Sequence, residues 1–103
     1  MSHRAIIRIE AEVDITNAAV WYERQQQGLG QVFLAEIESA VASAAAHPLR
    51  YPCLRRRPEV RRVLTRRFPY RVLFVRRAED VVVFRVLHGA RHDREWKANV
   101  PKE

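Results

Sequence analysis

The spacing of apolar residues changes near the middle of this 103-residue chain, from helical to strand-like. Two segments of the first half carry apolar residues three and four positions apart, as one face of a helix does. The first stripe consists of Ala11, Ile15, Ala18 and Tyr22, and the second of Leu29, Phe33, Ile37, Ala40, Val41 and Ala44. Gly28 and Gly30 flank Leu29 at the start of the second stripe and suit a helix end followed by a tight turn. Pro48 disfavours helical geometry at His47, so the first half predicts two helices joined as an αα-hairpin.

The second half is rich in β-branched and aromatic residues over 60–65, 70–75 and 81–88, which predicts three strands. The polar segment "RRAED" has the length of a hairpin turn, so we expect an antiparallel sheet there. Pro69 lacks a backbone donor, which places the start of the middle strand at about Tyr70. A further short strand is expected over 5–10. The order β-α-α-β-β-β predicts an α+β fold, with an antiparallel sheet packed on the αα-hairpin.

Length and composition indicate one domain, residues 1–103, without cofactor or metal. No stretch of 18 apolar residues suggests a membrane span, and the amino terminus turns acidic before reaching signal-peptide length. The single Cys53 cannot form an internal disulfide, and no second cysteine supports a zinc site. We therefore expect a cytoplasmic protein without a membrane partner. The helical spacing also predicts that Trp21, Tyr22 and Phe33 belong to the core.

Basic charge is concentrated in the second half. Residues 1–54 carry 4 Lys/Arg against 6 Asp/Glu, a net of −2, whereas residues 55–103 carry 15 against 6, a net of +9. Ten arginines lie between Arg55 and Arg77, with only Glu59 opposing them. Such asymmetry favours a polyanionic partner, either nucleic acid or an acidic protein segment, over a merely solvated face.

Four segments, in this order and spacing, resemble the RelE/ParE superfamily of type II toxins: "DITNAAVWYERQQQGLGQVFLAEIESAV", "HPLRYP", "VRRVLTRRFPYRVLFV" and "VVVFRVLHGARHDREW". The Gly-Leu-Gly turn into a Phe-bearing helix and the "RFPYRV" strand resemble its ParE-like, plasmid-stabilisation branch. The resemblance implies a small cytoplasmic toxin in a hetero-oligomer with a cognate antitoxin. Such an antitoxin has an acidic segment and a ribbon-helix-helix DNA-binding domain.

The resemblance implies two possible modes of action. ParE-like members inhibit DNA gyrase, whereas RelE-like members cleave messenger RNA on the ribosome. RNA cleavage needs a proton acceptor, cations around the phosphate and a proton donor. Arg71 and Arg91 match phosphate-binding arginines of RelE-like enzymes, and Arg62 falls at the first catalytic lysine. An arginine is a poor proton acceptor because its guanidinium stays charged.

The other catalytic positions depart from the RelE-like pattern. Leu64 falls where the second lysine would be, and Trp96 is the nearest aromatic residue to the missing carboxyl-terminal tyrosine. His88 or His92 could replace the acid or base, since histidine titrates near neutrality. We therefore expect a gyrase inhibitor without chemistry of its own. The alternatives are an atypical ribosome-dependent endoribonuclease using Arg62, Arg71, Arg91, His88 and His92, or a non-toxic basic module that binds nucleic acid or an antitoxin.

The arginines are predicted to form a cationic sheet face and rim. The residues expected to bind the target or the antitoxin are Arg61, Arg62, Arg66, Arg67, Arg71, Arg91 and Trp96. Tyr51 and Tyr70 are expected either to stack on exposed bases beside these arginines or to cap the edge of the core.

Overall fold

A computed structural model describes residues 3–89 and 96–102. The elements are β1 (Arg4–Ile7), α1 (Ile9–Gln25), α2 (Leu29–Ala46), β2 (Cys53–Leu54), β3 (Arg57–Leu64), β4 (Tyr70–Arg77) and β5 (Asp80–His88), with short 3-10 turns at Pro48–Arg50 and Lys97–Asn99. The strands form one sheet in the order β1-β5-β4-β3-β2. This architecture confirms the predicted α+β fold and adds the two-residue strand β2.

The sheet is mixed, because β1 runs parallel to β5 while the other neighbours are antiparallel. A parallel pair needs a long connection. Here the helical hairpin carries the chain from β1 to the opposite edge of the sheet, and the β3-β4-β5 meander returns it to β1. The expected antiparallel arrangement therefore holds for β2 to β5 and not for β1.

The first strand is shorter than predicted. It ends at Ile7, and the Arg8 N–H donates the last bond toward β5, to the Val83 carbonyl at 2.9 Å. Helix α1 begins at Ile9, and its first turn contains Glu10 and Glu12. Negative side chains are favourable there because the first N–H groups of a helix carry partial positive charge.

The turn between the helices is held by Glu23. Its carboxylate accepts hydrogen bonds from the N–H groups of Gly28 at 2.9 Å and Gly30 at 3.0 Å, two donors near the start of α2. Gly28 has a φ of +87°, a conformation that costs other residues about 1–2 kcal/mol. The predicted role at a helix end holds for Gly28, whereas Gly30 lies within α2 and has no positive φ. The end of α2 before Pro48 is confirmed.

Gly30 marks a close approach of the two helices, which makes Gly30→Ala a test of the hairpin. A Cβ atom there would lie 2.7 Å from the Ala19 carbonyl oxygen and 3.0 Å from Glu23 Oε1. The backbone cannot yield without separating the helices. We expect Gly30→Ala to lower the free energy of unfolding by about 1–3 kcal/mol in urea denaturation, despite alanine's better helix propensity. The exposed Gln31→Ala is the control, and a Gly30→Ala variant as stable as that control would contradict the close approach.

One core lies between the helices and the sheet. Both predicted helical stripes face it, with Ala11, Phe33 and Ala44 fully buried. Tyr22, Phe33, Phe68 and Tyr70 pack ring against ring at one end, with centroids 4.7–6.3 Å apart. Helix α2 is long and apolar enough to cross a membrane, but burial of its stripe in this core explains that composition. The prediction that Trp21 is a core residue is wrong: its side chain is 56% exposed and touches Tyr22 edge-on.

A second apolar cluster covers the opposite face of the sheet. It consists of Val60, Leu73, Val75, Val82, Phe84, Leu87 and Trp96, with Leu54 and Val100 packed against it. Trp96 is 1% exposed and contacts Phe84 with ring centroids 6.2 Å apart. The carboxyl-terminal segment 96–102 therefore closes this face, which explains why the central strands β4 and β5 are apolar on both sides.

A bulge in β5 changes which side chains share a face. Leu73 pairs with Arg85 but Phe74 pairs with Val83, so Phe84 is the additional residue. Strict alternation predicts that Val82, Phe84 and Val86 share one face, but Val86 belongs to the helix-side core. The prediction for Val86 is wrong because a bulge reverses the alternation beyond it.

Candidate functional site

Arg62 and Arg71 lie on the sheet face that is turned away from the helices. Arg62 is directly opposite Leu73, and Arg71 is opposite Leu87. Both leucines belong to the cluster under Trp96, and directly paired residues point to the same face. The two arginines are diagonal neighbours on β3 and β4, positions that are about 7–8 Å apart in an antiparallel pair. This arginine pair can therefore contact one phosphate or carboxylate from both sides.

One donor atom of Arg62 is left without an acceptor within the described residues. The Nε atom of Arg62 is buried and has no hydrogen-bond partner among the described residues. A buried donor without a partner costs about 1–3 kcal/mol, so an anionic group that reached it would recover that energy. Leu64, which is opposite Arg71, is 60% exposed on the same face. The surface thus combines cationic groups with an apolar side chain.

The other predicted arginines are distributed around this face. Arg61 is opposite Phe74 of the helix-side core, and its Nη1 donates to the Tyr51 carbonyl at 2.6 Å. Arg66 and Arg67 are exposed in the turn between β3 and β4. The backbone N–H of Arg67 donates to a Glu36 oxygen at 2.7 Å, which ties that turn to α2.

Two of the predicted positions, Arg91 and His92, lie outside the described residues. Trp96 is buried, so it could contact a partner only if the carboxyl-terminal segment moved away from the sheet. Its part in binding stays a prediction. Tyr51 and Tyr70 pack against the helix-side core, as expected for residues that cap its edge.

His88 lies on the other side of the sheet from the arginine pair. It is opposite Tyr70 in the strand register, and the two rings meet edge-on with centroids 5.5 Å apart. Tyr70 packs on the helix-side core. The structure therefore places His88 on the opposite face from Arg62 and Arg71, beside which an acid or base for RNA cleavage would be needed.

A partly buried ion pair, not anticipated from sequence, joins α1 to β5. Arg85 donates to Asp14 through Nε at 2.7 Å and through Nη2 at 3.0 Å, and the Val86 N–H donates to the same carboxylate at 2.9 Å. The pairing of β1 with β5 ends at Val83, so Asp14 supplies an acceptor on the side of β5 that β1 no longer covers. Arg85 Nη1 also donates to Asn99 Oδ1 at 2.9 Å, which links the carboxyl-terminal segment to the pair.

No pattern in the sequence indicates this pair. Asp14 and Arg85 are 71 positions apart, and Asp14 reads as a favourable charge near the start of a helix. Because α1 begins at Ile9, Asp14 lies beyond its first turn. Its position reflects the packing of α1 on the sheet.

A cleft of about 840 Å³ lies between α1 and β5, on the helix side. Its lining includes the Asp14–Arg85 pair and the rings of Trp21, Tyr22, Tyr70 and His88. This mixture of rings and a neutralised ion pair suits an apolar side chain of a protein partner more than a phosphate.

Metal and acid-base groups contribute little to these surfaces. Within residues 3–89 and 96–102, no three His, Cys, Asp or Glu side chains come together as a metal site.

Glu59 accepts from Arg57 Nε at 3.0 Å. Its own backbone N–H and this guanidinium lower the pKa of Glu59 from its ordinary value. Glu59 therefore stays ionised, and its negative charge offsets the positive charge of Arg57.

The sequence matches the model of a known family over residues 5–93, most of the chain. That family is the ParE toxin of the type II toxin–antitoxin system parDE. The chain belongs to the ParE toxin family. This family assignment agrees with the predicted RelE/ParE resemblance, and among curated proteins none matches the sequence.

Solved structures share the fold of this ParE-family chain. A chain of the chromosomal ParDE toxin–antitoxin system from P. aeruginosa superimposes with a TM-score of 0.75 at 13% identity, covering 84% of this chain and 96% of that one. A chain of the RelBE2 toxin–antitoxin complex from Mycobacterium tuberculosis gives a TM-score of 0.61 at 22% identity, covering 88% and 95%. At these identities the likeness establishes the fold, which ParE and RelE toxin structures have in common.

Proposed function

We propose that this ParE-family toxin arrests growth by binding DNA gyrase and has no chemistry of its own. The observation that carries the proposal is the composition of the arginine-pair face. Arg62 and Arg71 can hold an anion, but the described residues paired with them across the strands are Leu64, Leu73 and Leu87. None of these three side chains can accept or donate the protons that RNA cleavage requires.

The same face is suited to binding. Gyrase acting on DNA presents phosphates beside protein surface, and a pair of arginines next to an exposed leucine can contact both. Membership of the ParE toxin family supports this target. A gyrase target also implies a cytoplasmic location, as the sequence predicts.

A cognate antitoxin is the second partner in this proposal. The two structural neighbours come from toxin–antitoxin assemblies. We expect an antitoxin with an acidic segment that folds on binding and covers Arg62 and Arg71, attached to a ribbon-helix-helix DNA-binding domain. The storage form is then a hetero-oligomer in which the same cationic face is blocked.

Two other functions remain as alternatives. The adjacency of Arg62 and Arg71 would also suit a RelE-like endoribonuclease, with Arg91 and His92 supplying further groups from outside the described residues. A non-toxic basic module would instead bind bare DNA or RNA with a steep dependence of affinity on salt concentration.

Pulse-labelling after induction separates these functions. Cells induced for this protein without antitoxin are expected to stop incorporating thymidine within minutes, before methionine incorporation falls, because gyrase is needed for replication. Cells with the empty vector are the control. If methionine incorporation fails first, the ribosome is the target and the gyrase proposal is wrong. If neither falls, the protein is not an active toxin.

A further inference from the structure

Arg85 lies on the same sheet face as the arginine pair. It is directly opposite Leu73, which is also directly opposite Arg62. Directly paired residues point to the same face, so Arg62, Leu73 and Arg85 form one row across β3, β4 and β5. Arg85 ends this row, on the part of β5 that β1 no longer covers. Its side chain therefore reaches around the edge of β5 to Asp14 on α1.

The guanidinium of Arg85 bonds to both sides of the sheet. Its Nε and Nη2 atoms donate to the Asp14 carboxylate at 2.7 Å and 3.0 Å, and its Nη1 atom donates to Asn99 Oδ1 at 2.9 Å. Asp14 lines the helix-side cleft together with Arg85, whereas Asn99 belongs to the carboxyl-terminal segment 96–102. A guanidinium presents its donors in a rigid planar fork. The two bonds to Asp14 therefore fix the direction in which Nη1 points.

The carboxyl-terminal segment covers apolar residues beside the arginine pair. Trp96 belongs to the same cluster as Leu73 and Leu87, which are 0% and 3% exposed. These two leucines lie directly opposite Arg62 and Arg71. Movement of the segment away from the sheet would thus expose apolar surface next to the arginine pair.

We propose that Arg85 is a latch that holds the carboxyl-terminal segment on the sheet through Asn99 and makes this hold depend on Asp14 in the helix-side cleft. A short terminal segment opens at a lower cost than the whole domain unfolds. A group that separates Asp14 from Arg85 in the cleft therefore releases the segment on the opposite face. The latch thus regulates how much apolar surface the arginine-pair face presents to a target. That consequence rests on the proposed function, whereas the latch itself is tested without a target.

Loss of the Asp14 carboxylate weakens the bond to Asn99 for an electrostatic reason. The guanidinium of Arg85 keeps its positive charge, and its side chain is only 16% exposed. A largely buried charge without a counter-ion gains free energy by turning toward water. Such a turn takes Nη1 away from Asn99 and leaves the segment without this bond.

Fluorescence of Trp96 reports the position of the segment. The chain has two tryptophans, so Trp21→Phe leaves Trp96 alone. Trp21 is 56% exposed, and its replacement should leave the core intact. Because Trp96 is 1% exposed, it is shielded from the soluble quencher acrylamide while the segment is closed. Opening raises the quenching constant and shifts the emission to longer wavelength.

Three substitutions in the full-length Trp21→Phe chain cut the latch at different atoms. Asn99→Ala removes the acceptor on the segment, and Asp14→Asn removes the counter-ion on α1. Arg85→Lys keeps the charge, but its single ammonium lacks the fork that joins both partners. Each substitution should raise the quenching constant of Trp96 at least about twofold through local opening. Circular dichroism during heating establishes that each variant is folded.

A matched control and a double variant test the coupling. Asp80→Asn removes the counter-ion of Arg4 from another ion pair on β5, in which the two groups are 3.1 Å apart. This control should leave Trp96 quenching unchanged. Asp14→Asn with Asn99→Ala should give no more quenching than Asn99→Ala alone, because both substitutions cut one latch.

Three results would overturn the proposal. The first is an Asn99→Ala variant quenched as weakly as the control, which would show that Asn99 does not hold the segment. The second is a folded Asp14→Asn variant with unchanged quenching, and if that variant does not fold, unchanged quenching in Arg85→Lys counts in the same way. The third is additive quenching in the double variant. Growth arrest enters none of these outcomes, so failure of the latch is distinguished from failure of the proposed function.

Discussion

Replacing Asp14 by alanine is expected to lower the free energy of unfolding by about 3–5 kcal/mol. The carboxylate accepts three hydrogen bonds, two from Arg85 and one from the Val86 N–H. The side chains of Asp14 and Arg85 are only 14% and 16% exposed. Without Asp14, the guanidinium keeps its charge in a largely buried place and the strand loses its acceptor at Val86. This cost is a large part of the total stability of a small domain, which is about 5–15 kcal/mol.

Urea denaturation of the single and double variants measures the coupling. Arg85→Met removes the charge but retains much of the side-chain volume, and Asp14→Ala with Arg85→Met should be more stable than the sum of the single effects predicts. Glu12→Ala, an exposed acidic residue on the same helix, is the control and should change stability by less than about 0.5 kcal/mol. An Asp14→Ala effect no larger than this control would show that the ion pair does not hold α1 to the sheet.

Substitution of Arg62 and Arg71 by alanine is expected to abolish growth arrest while the domain stays folded. These arginines share the face away from the helices, and together they can hold an anionic group of a target. The Nε of Arg62 has no partner to lose within the described structure, so its removal should not destabilise the domain. Colony counts after induction measure toxicity, and circular dichroism during heating measures folding.

A matched control separates the position of the arginines from their charge. Arg56→Ala with Arg76→Ala removes the same two charges from exposed residues, and Arg76 is opposite the helix-side residue Val81. This control should remain toxic. An Arg62/Arg71 variant that arrests growth as the wild type does would remove the arginine pair from the mechanism. An equal loss in both double variants would indicate a role for net charge alone.

Local sequence patterns determined the helices, the start of β4 at Tyr70 and the family, whereas β3 begins at Arg57 and not at the predicted Val60. The two apolar stripes predict α1 and α2 because helical periodicity depends on residues three and four positions apart. Pro48 and Pro69 mark boundaries because proline constrains its immediate neighbours. The order and spacing of the four quoted segments indicate the superfamily, and the family match over residues 5–93 agrees.

Only the tertiary structure decided how the chemically important side chains are grouped. A period of two places strand residues on two faces but does not say which face meets the helices, and the bulge at Phe84 then moves Val86 to the other side. For the same reason, the sequence does not show that His88 lies on the opposite face of the sheet from Arg62 and Arg71.

The sequence pattern also does not predict contacts between residues that are far apart in the chain. Trp21 has helical spacing with the core but lies at the margin of the buried stripe, where it stays exposed. Trp96 follows the last strand without any periodic signal, yet it closes the second sheet face. Asp14 and Arg85 meet because α1 crosses the edge of β5 beyond the end of β1. Such contacts depend on how whole helices and strands pack together. The sequence around each residue does not indicate which distant residue it will contact.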